Sequence, residues 1–344
     1  MSGKSIYIYG FININEKKKF DYAGIDGGEV YTQPYQDIAA VVSDLPDMQF
    51  GSLPKETLLL YLAVYQAVIE RVMKNHYIIP MKFGTSVDGK EEVEMILRKG
   101  YDQVKTNSMS MEDKIELDVV AMWNNLDAVI KTIGEEEEIQ KLKAEAASKP
   151  TDQKLEAGIT LGKMVKASLD RKREERASDM LDTLKAESET HRSHDVMDDS
   201  MIMNVAFLIN KDNKETFESK IDLLDEEYQD EVNFRIVGPL PSYSFCTFEI
   251  NKIDFSDVSE ARKTLGLGEE STALEIKEAY WRLSKEFHPD KYPGDVEAQK
   301  RFENITKAYR LLKDYCEGEQ CSFKEEDVRN WIVVKPMTQS GVNA

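Results

Sequence analysis

The chain is poor in the residues on which redox, metal and membrane proteins depend. It has 3 cysteines in 344 residues, at positions 246, 316 and 321. The odd number and scattered spacing predict free thiols in a reducing compartment. Cys316 and Cys321 are near enough in sequence to pair or to share a metal, but no second Cys/His pair stands beside them. There are 4 histidines. His191 and His194 lie three apart beside Asp195, Asp198 and Asp199, and this run reads as a solvated linker end rather than a metal site. No apolar run approaches the roughly 20 residues needed to cross a bilayer, and no basic-then-apolar leader opens the chain. Positive charge is also scarce. Lys and Arg number 45 against 64 Asp and Glu, a net charge of −19. That balance excludes a general role on nucleic acid or on an anionic membrane, both of which call for basic surface. Gly24 to Gly28 lacks the Lys and Ser/Thr of a phosphate loop, and no Ser-His-Asp or Cys-His constellation is recognisable. The expectation is a cytoplasmic protein that is not an enzyme, with no metal and no cofactor.

The length suits two or three domains. Residues 1–133 alternate strand and helix signals. Ser5 to Ile12 is rich in Ile, Tyr and Phe and suits a strand. Glu29 to Tyr31 and Ile38 to Ser43 predict two more. Leu58, Leu62, Tyr65, Ile69 and Val72 recur at helical spacing behind Ser52 and Pro54. Ile78 to Phe83 predicts another strand, Glu91 to Arg98 a short helix, and Lys114 to Met122 a further strand. This order predicts an α+β domain with helices on one face of a mostly antiparallel sheet. Residues 134–200 are highly charged, with a sparse apolar stripe through Ile159, Met164, Val165, Leu169, Met180 and Leu184; they predict a solvated helical arm or helical hairpin. Residues 201–253 return to strand and helix, a second small α+β domain in which Tyr243 to Ile250 is a strand. Residues 254–316 predict an all-α domain, and 317–344 a tail. Within the tail, Trp331 to Val334 is too apolar to hang free.

His288-Pro289-Asp290 sits between two amphipathic segments. Ile276, Ala279, Tyr280, Leu283 and Phe287 share one helical face; Phe302, Ile305, Tyr309 and Leu312 share another. Pro289 forces His288 out of helical geometry, so the tripeptide lies at the tip of a helical hairpin. From Asp257 to Cys316 this segment resembles the J domain of DnaJ-type co-chaperones. Leu265-Gly266-Leu267 fits the end of its first helix, Phe287 to Lys291 the end of its second, and Arg301 to Tyr309 its third. The resemblance implies that the tip touches a DnaK-type chaperone and stimulates ATP hydrolysis there. His288, Pro289 and Asp290 are the implied contacts, with Lys277, Arg282, Lys285 and Lys291 on the flanking basic face. Glu278, Trp281 and Glu286 interrupt that basic face. Trp281 is either an interface anchor or a side chain packed against the upstream chain.

A second resemblance covers roughly residues 5–252. Pro80-Met81-Lys82-Phe83-Gly84-Thr85 and Gly238-Pro239-Leu240-Pro241-Ser242-Tyr243-Ser244-Phe245 are similar to two motifs of the gas vesicle protein F/L family. Tyr7 to Gly10 fits that family's first strand, and Gly158, Leu161 and Gly162 fit the opening of its long helix. Lys82 stands where the family usually has Arg, which keeps the charge but not the bidentate fork. The resemblance implies a ferredoxin-like N-terminal domain and an accessory role in building gas-filled protein shells. It also implies contact with the small hydrophobic shell protein and with other gas vesicle accessory proteins. Pro80, Lys82, Phe83, Gly84, Gly238, Pro239, Pro241 and Tyr243 are the implied shell-protein contacts. Together the two resemblances predict a binder of the shell subunit that recruits a chaperone. The alternative expectation is a minor or nucleating component of the vesicle wall, with a hairpin that stimulates nothing.

Overall fold

In the computed structural model, the residues described are 5–46, 50–148, 150–292, 294–316, 320–329 and 331–337. The chain is α+β, with two antiparallel sheets followed by a helical unit. The first sheet is built from Ser5–Ile12 (β1), Lys19–Ala23 (β2), Glu29–Tyr35 (β3) and Ile38–Leu45 (β4). Lys55–Met73 (α1) follows, then the short strands Ile78–Pro80 (β5) and Ser86–Val87 (β6), then Lys90–Met111 (α2). The order is β2-β3-β4-β1-β5, with β6 also on β1. All pairings in it are antiparallel. β1 is central because it is apolar on both faces, and every one of its residues is buried.

Those two faces explain why one helix lies on each side, where the sequence predicts helices on one face only. Tyr7, Tyr9 and Ile12 pack against Tyr65, Val68, Ile69 and Val72 of α1. Ile6, Ile8 and Phe11 point the other way, toward Val93, Ile96 and Leu97 of α2. α2 is also much longer than the predicted Glu91–Arg98 segment, at 22 residues. Its buried stripe continues through Gly100, Val104 and Ser108. Two of those three residues are too small to register as apolar periodicity.

The second unit runs through Lys114–Trp123 (β7), Leu126–Ile133 (α3), Glu137–Ser148 (α4) and Thr151–Lys185 (α5), then Thr190–Ser193 (β8), Met201–Asn210 (β9), Lys214–Tyr228 (α6) and Val232–Leu240 (β10). Its sheet order is β10-β7-β9-β8, all antiparallel. β7 therefore belongs to this sheet and not, as its position before residue 133 suggests, to the first. Ile115, Leu117, Val119 and Trp123 alternate onto the face covered by α5 and α6. The charged arm is also only partly an arm. Leu169, Met180 and Leu184 of α5 are buried in this core. Leu155, near the other end of α5, is 76% exposed.

Phe248–Lys252 (β11) leaves the second unit and starts the link to the helical one. That unit holds Phe255–Leu265 (α7), Glu270–Thr272 (β12), Ala273–Glu286 (α8), Val296–Tyr315 (α9), Gln320–Ser322 (β13) and Glu325–Arg329 (α10). Ile332–Pro336 (β14) then returns and pairs antiparallel with β11, from Lys252↔Ile332 to Phe248↔Pro336. The apolar tail segment thus docks on the body, as its composition requires. Ile332 and Val334 are buried against α2 and the first sheet. A side chain at Gly100 would put its Cβ 2.9 Å from Val334, so glycine lets the helix approach the strand. The helical unit is consequently tied to the body at both ends. Its own core joins Val258, Leu265, Ile276, Ile305 and Leu312. Cys316 and Cys321 are disulfide-bonded, against the expectation of free thiols. The pairing of β13 with β12 sets Cys321 beside Cys316 at the end of α9. Cys246 is free and buried. Residues 317–319, 330 and 338–344 of the expected tail lie outside the described residues.

Candidate functional site

The hairpin tip is built from helix-end chemistry. Thr272 and Glu275 form a reciprocal capping box that starts α8. α8 stops at Glu286, and His288 takes extended geometry at φ −62°, ψ 132° ahead of Pro289. Pro289–Lys291 make one 3-10 turn. Asp295 caps α9 by accepting the backbone N–H groups of Glu297 and Ala298. α8 and α9 are held together by Tyr280 stacked on Tyr309, with ring centroids 4.2 Å apart.

At the tip the His288 ring meets Phe302 of α9 edge-on, at 5.6 Å between centroids. Its Nδ1 accepts the backbone N–H of Asp290 at 3.2 Å and lies 3.4 Å from the Asp290 carboxylate. The imidazole is oriented by these contacts yet 46% exposed, and the carboxylate is 89% exposed. Such a pair can be read by a partner. Lys277, Arg282, Lys285 and Lys291 are all exposed. Trp281 is 59% exposed and carries the Lys277 ammonium over its ring at 4.7 Å. Trp281 is therefore not packed against the upstream chain.

The other two motifs converge on one junction between the sheets. Met81 bridges to Phe248, and the Lys82 N–H donates to the Phe248 carbonyl at 2.8 Å. Phe83 packs against Tyr65, which also neighbours Tyr243. The Tyr7 hydroxyl accepts the Gly84 N–H at 2.9 Å. Gly238 has φ +150°, and a Cβ there would meet Leu117 at 2.6 Å and the Glu116 carbonyl oxygen at 2.9 Å. Pro80 and Pro241 are buried, whereas Lys82, Gly238 and Pro239 reach the surface. Lys82 lies 3.6 Å from the Glu249 carboxylate. Of the eight implied shell-protein contacts, these three are thus the most accessible.

Sequence reading missed a buried polar chain behind this junction. Glu116 is 1% exposed. Its two carboxyl oxygens accept the backbone N–H and the hydroxyl of Ser244, both at 2.8 Å. The Ser244 hydroxyl also lies 3.2 Å from His194 Nε2. Asp118 stands two residues on, on the same face of β7, and the two carboxyls act on each other. Burial pushes Glu116 up to about 8, and the Asp118 charge beside it adds to the rise, while the bonds from Ser244 oppose it. Burial also raises Asp118, against the pull of His194. The available signal was two carboxylates at i and i+2 on the non-core face of an apolar strand. The serine is bonded to both acid and imidazole, and the imidazole also acts on the Asp118 carboxyl.

Comparison with known proteins agrees with this architecture. Residues 5–247 match the family model described as gas vesicle synthesis protein GvpL/GvpF, and residues 260–318 match the DnaJ domain. Gas vesicle protein F1 of Halobacterium salinarum is 25% identical over 251 residues, 72% of this chain and 95% of that protein. Gas vesicle protein F of Haloferax mediterranei is 23% identical over 247 residues. Chaperone protein DnaJ of Chlamydia felis is 44% identical over 62 residues, 18% of this chain but only 14% of that protein. Crystal structures of GvpF from Anabaena and from Microcystis aeruginosa each cover 70% of this chain and 98% of their own. Their TM-scores are 0.61 and 0.54, at 20% and 18% identity, which establishes a shared fold. Two sheets welded at the paired motifs and an exposed His-Pro-Asp tip thus have one explanation: the chain belongs to the gas vesicle GvpL/GvpF family and carries a DnaJ domain at its C-terminal end.

Proposed function

We propose that this chain is an accessory factor of gas vesicle assembly, acting in the cytoplasm at the nascent vesicle. In this reading its α+β body binds the small hydrophobic shell protein. Its J domain recruits a DnaK-type chaperone and raises that chaperone's ATP turnover. The chain performs no bond chemistry of its own, and other gas vesicle accessory proteins are its further partners. The physical need is plain. A shell subunit buries its apolar face only on polymerising, and until then that face aggregates. A binder coupled to an ATP-driven chaperone manages the interval. The observation that carries the reading is the pairing of β11 with β14. It supports a J domain held at both ends on the body that would hold the client, with His288 and Asp290 exposed for a partner.

The test is the ATP turnover of the cognate chaperone with the full chain and with His288→Gln. The expected result is stimulation by the parent chain and basal turnover with the variant. Equal basal turnover with both rejects the co-chaperone role and leaves the J domain a tether of a wall component. Co-purification of the full chain with the shell subunit tests the client; no complex while the subunit is soluble removes that half of the reading.

A further inference from the structure

Where the body meets the J domain there is an open cleft of about 850 Å³ that neither motif of the proposed function uses. One wall is the start of α2, with Asp88, Glu91 and Glu92. The other wall is the J-domain side, with Asp254 and Glu325. Among the described residues Lys252 is the only basic one lining it, and its ammonium is paired with Glu92. Five carboxylates and one ammonium therefore line the cleft. Glu92 is further occupied by the Asp88 N–H at 2.7 Å. Asp88 and Glu91 are exposed at the rim.

The floor is apolar. Met95 packs on the core of the body, while Phe255 and Trp331 pack on the core of the J domain. All three are only partly buried, so the seam between the cores leaves apolar surface open inside an acidic rim. Two features hold the walls in register: the pairing of β11 with β14, and the Trp331 N–H donated to the Val328 carbonyl of α10 at 2.9 Å. The cleft is thus a fixed feature of the fold.

We propose that this cleft binds a basic, amphipathic polypeptide segment, with Lys or Arg around one large apolar side chain. The volume is that of a site for a few side chains. The apolar floor takes the central residue, and the rim meets the cations. Opposite charge at such a rim speeds encounter and sets the choice of partner. The proposal is independent of the chaperone reading, because the segment binds with no chaperone present.

The experiment uses the full chain and a fluorescein-labelled peptide with a leucine pair flanked by lysines, followed by anisotropy. A peptide with glutamates in place of lysines is the charge control. The expected result is saturable binding of the lysine peptide only, a change in Trp331 emission in a Trp281→Phe background, and weakening by salt. Asp88→Lys with Glu91→Lys, both at exposed positions, weakens binding about tenfold or more. Glu174→Lys with Glu175→Lys, exposed on α5 far along the chain, tests whether net charge alone attracts the peptide, and leaves binding unchanged. Equal loss in both double variants overturns the proposal, as does binding untouched by Asp88→Lys with Glu91→Lys. Absence of binding, or equal binding of the glutamate peptide, also overturns it. Self-association that closes the cleft, seen by light scattering, does so too.

Discussion

The J-domain tip and the two-sheet junction carry the densest motifs of this chain, and they use them in opposite ways. At the tip, His288 and Asp290 face solvent and almost nothing rests on them. At the junction, Pro80, Pro241 and Ser244 are buried and the two sheets rest on them. A motif at the surface reports what a partner must recognise; a motif in the interior reports how the fold closes. The two regions should therefore fail differently when mutated.

The largest effect on stability belongs to the junction. Gly238→Ala forces a Cβ to within 2.6 Å of Leu117 at a φ of +150°. It should lower unfolding stability by about 2–4 kcal/mol, read from the urea midpoint. His288→Gln at the tip should change stability by less than about 0.5 kcal/mol while abolishing chaperone stimulation. Similar midpoints for the two variants would erase the contrast.

Next comes the buried carboxyl pair. Glu116 is about 8 in the folded chain against an ordinary 4.5, so the folded state holds a proton that the unfolded state releases. Its contribution is complete below pH 4.5, falls as pH rises toward about 8, and is lost above that. Glutamine stands in for the neutral acid and keeps an acceptor for the Ser244 N–H. Glu116→Gln should therefore gain on the parent chain steadily between pH 4.5 and about 8, then hold level. The gain should be on the order of a few kcal/mol, since each pH unit is about 1.4 kcal/mol. Thermal melts at three pH values decide it; parallel curves would mean that Glu116 is ionised in the folded state.

The same contrast governs what the sequence made legible. The J domain could be read residue by residue, because its contacts are local: a stripe through Ile276 and Ala279, a stop at Pro289. The body could be read for its class and its motifs but not for its pairings. Nothing local in Lys114–Trp123 says which sheet it joins, since its partners β9 and β10 are far along the chain. The Glu116–Ser244 contact was hidden for the same reason. The disulfide was not: Cys316 and Cys321 stand five apart, and the odd number of cysteines argued for free thiols over that pairing. Trp331 to Val334 was legible as needing cover, but the close approach of α2 to Val334 is made at Gly100, a residue with no side chain to announce it.

A smaller effect tests the J domain from within. Thr272→Ala removes the side-chain half of the capping box at the start of α8. It should lower stability by about 1 kcal/mol. Because the tip lies at the far end of that helix, stimulation of the chaperone should persist. A loss of stimulation matching that of His288→Gln would mean that the tip depends on the whole helix and not on its own residues.

The smallest effect separates recognition from folding on the exposed face of α8. The Lys277 ammonium over Trp281 is an exposed cation–π contact, worth about 0.5–1 kcal/mol at most. Lys277→Ala should leave the melting temperature nearly unchanged while altering Trp281 emission, since Trp123 is buried and Trp331 lies at the seam. If the face meets an acidic chaperone surface, the same variant should lower the association rate at low salt and have little effect at high salt. Trp281→Ala should instead speed dissociation and be indifferent to salt, because an aromatic anchor acts through desolvated contact. If both variants change only the salt-dependent association rate, Trp281 lies outside the contact. The interruption of the basic face by this aromatic residue would then select no partner.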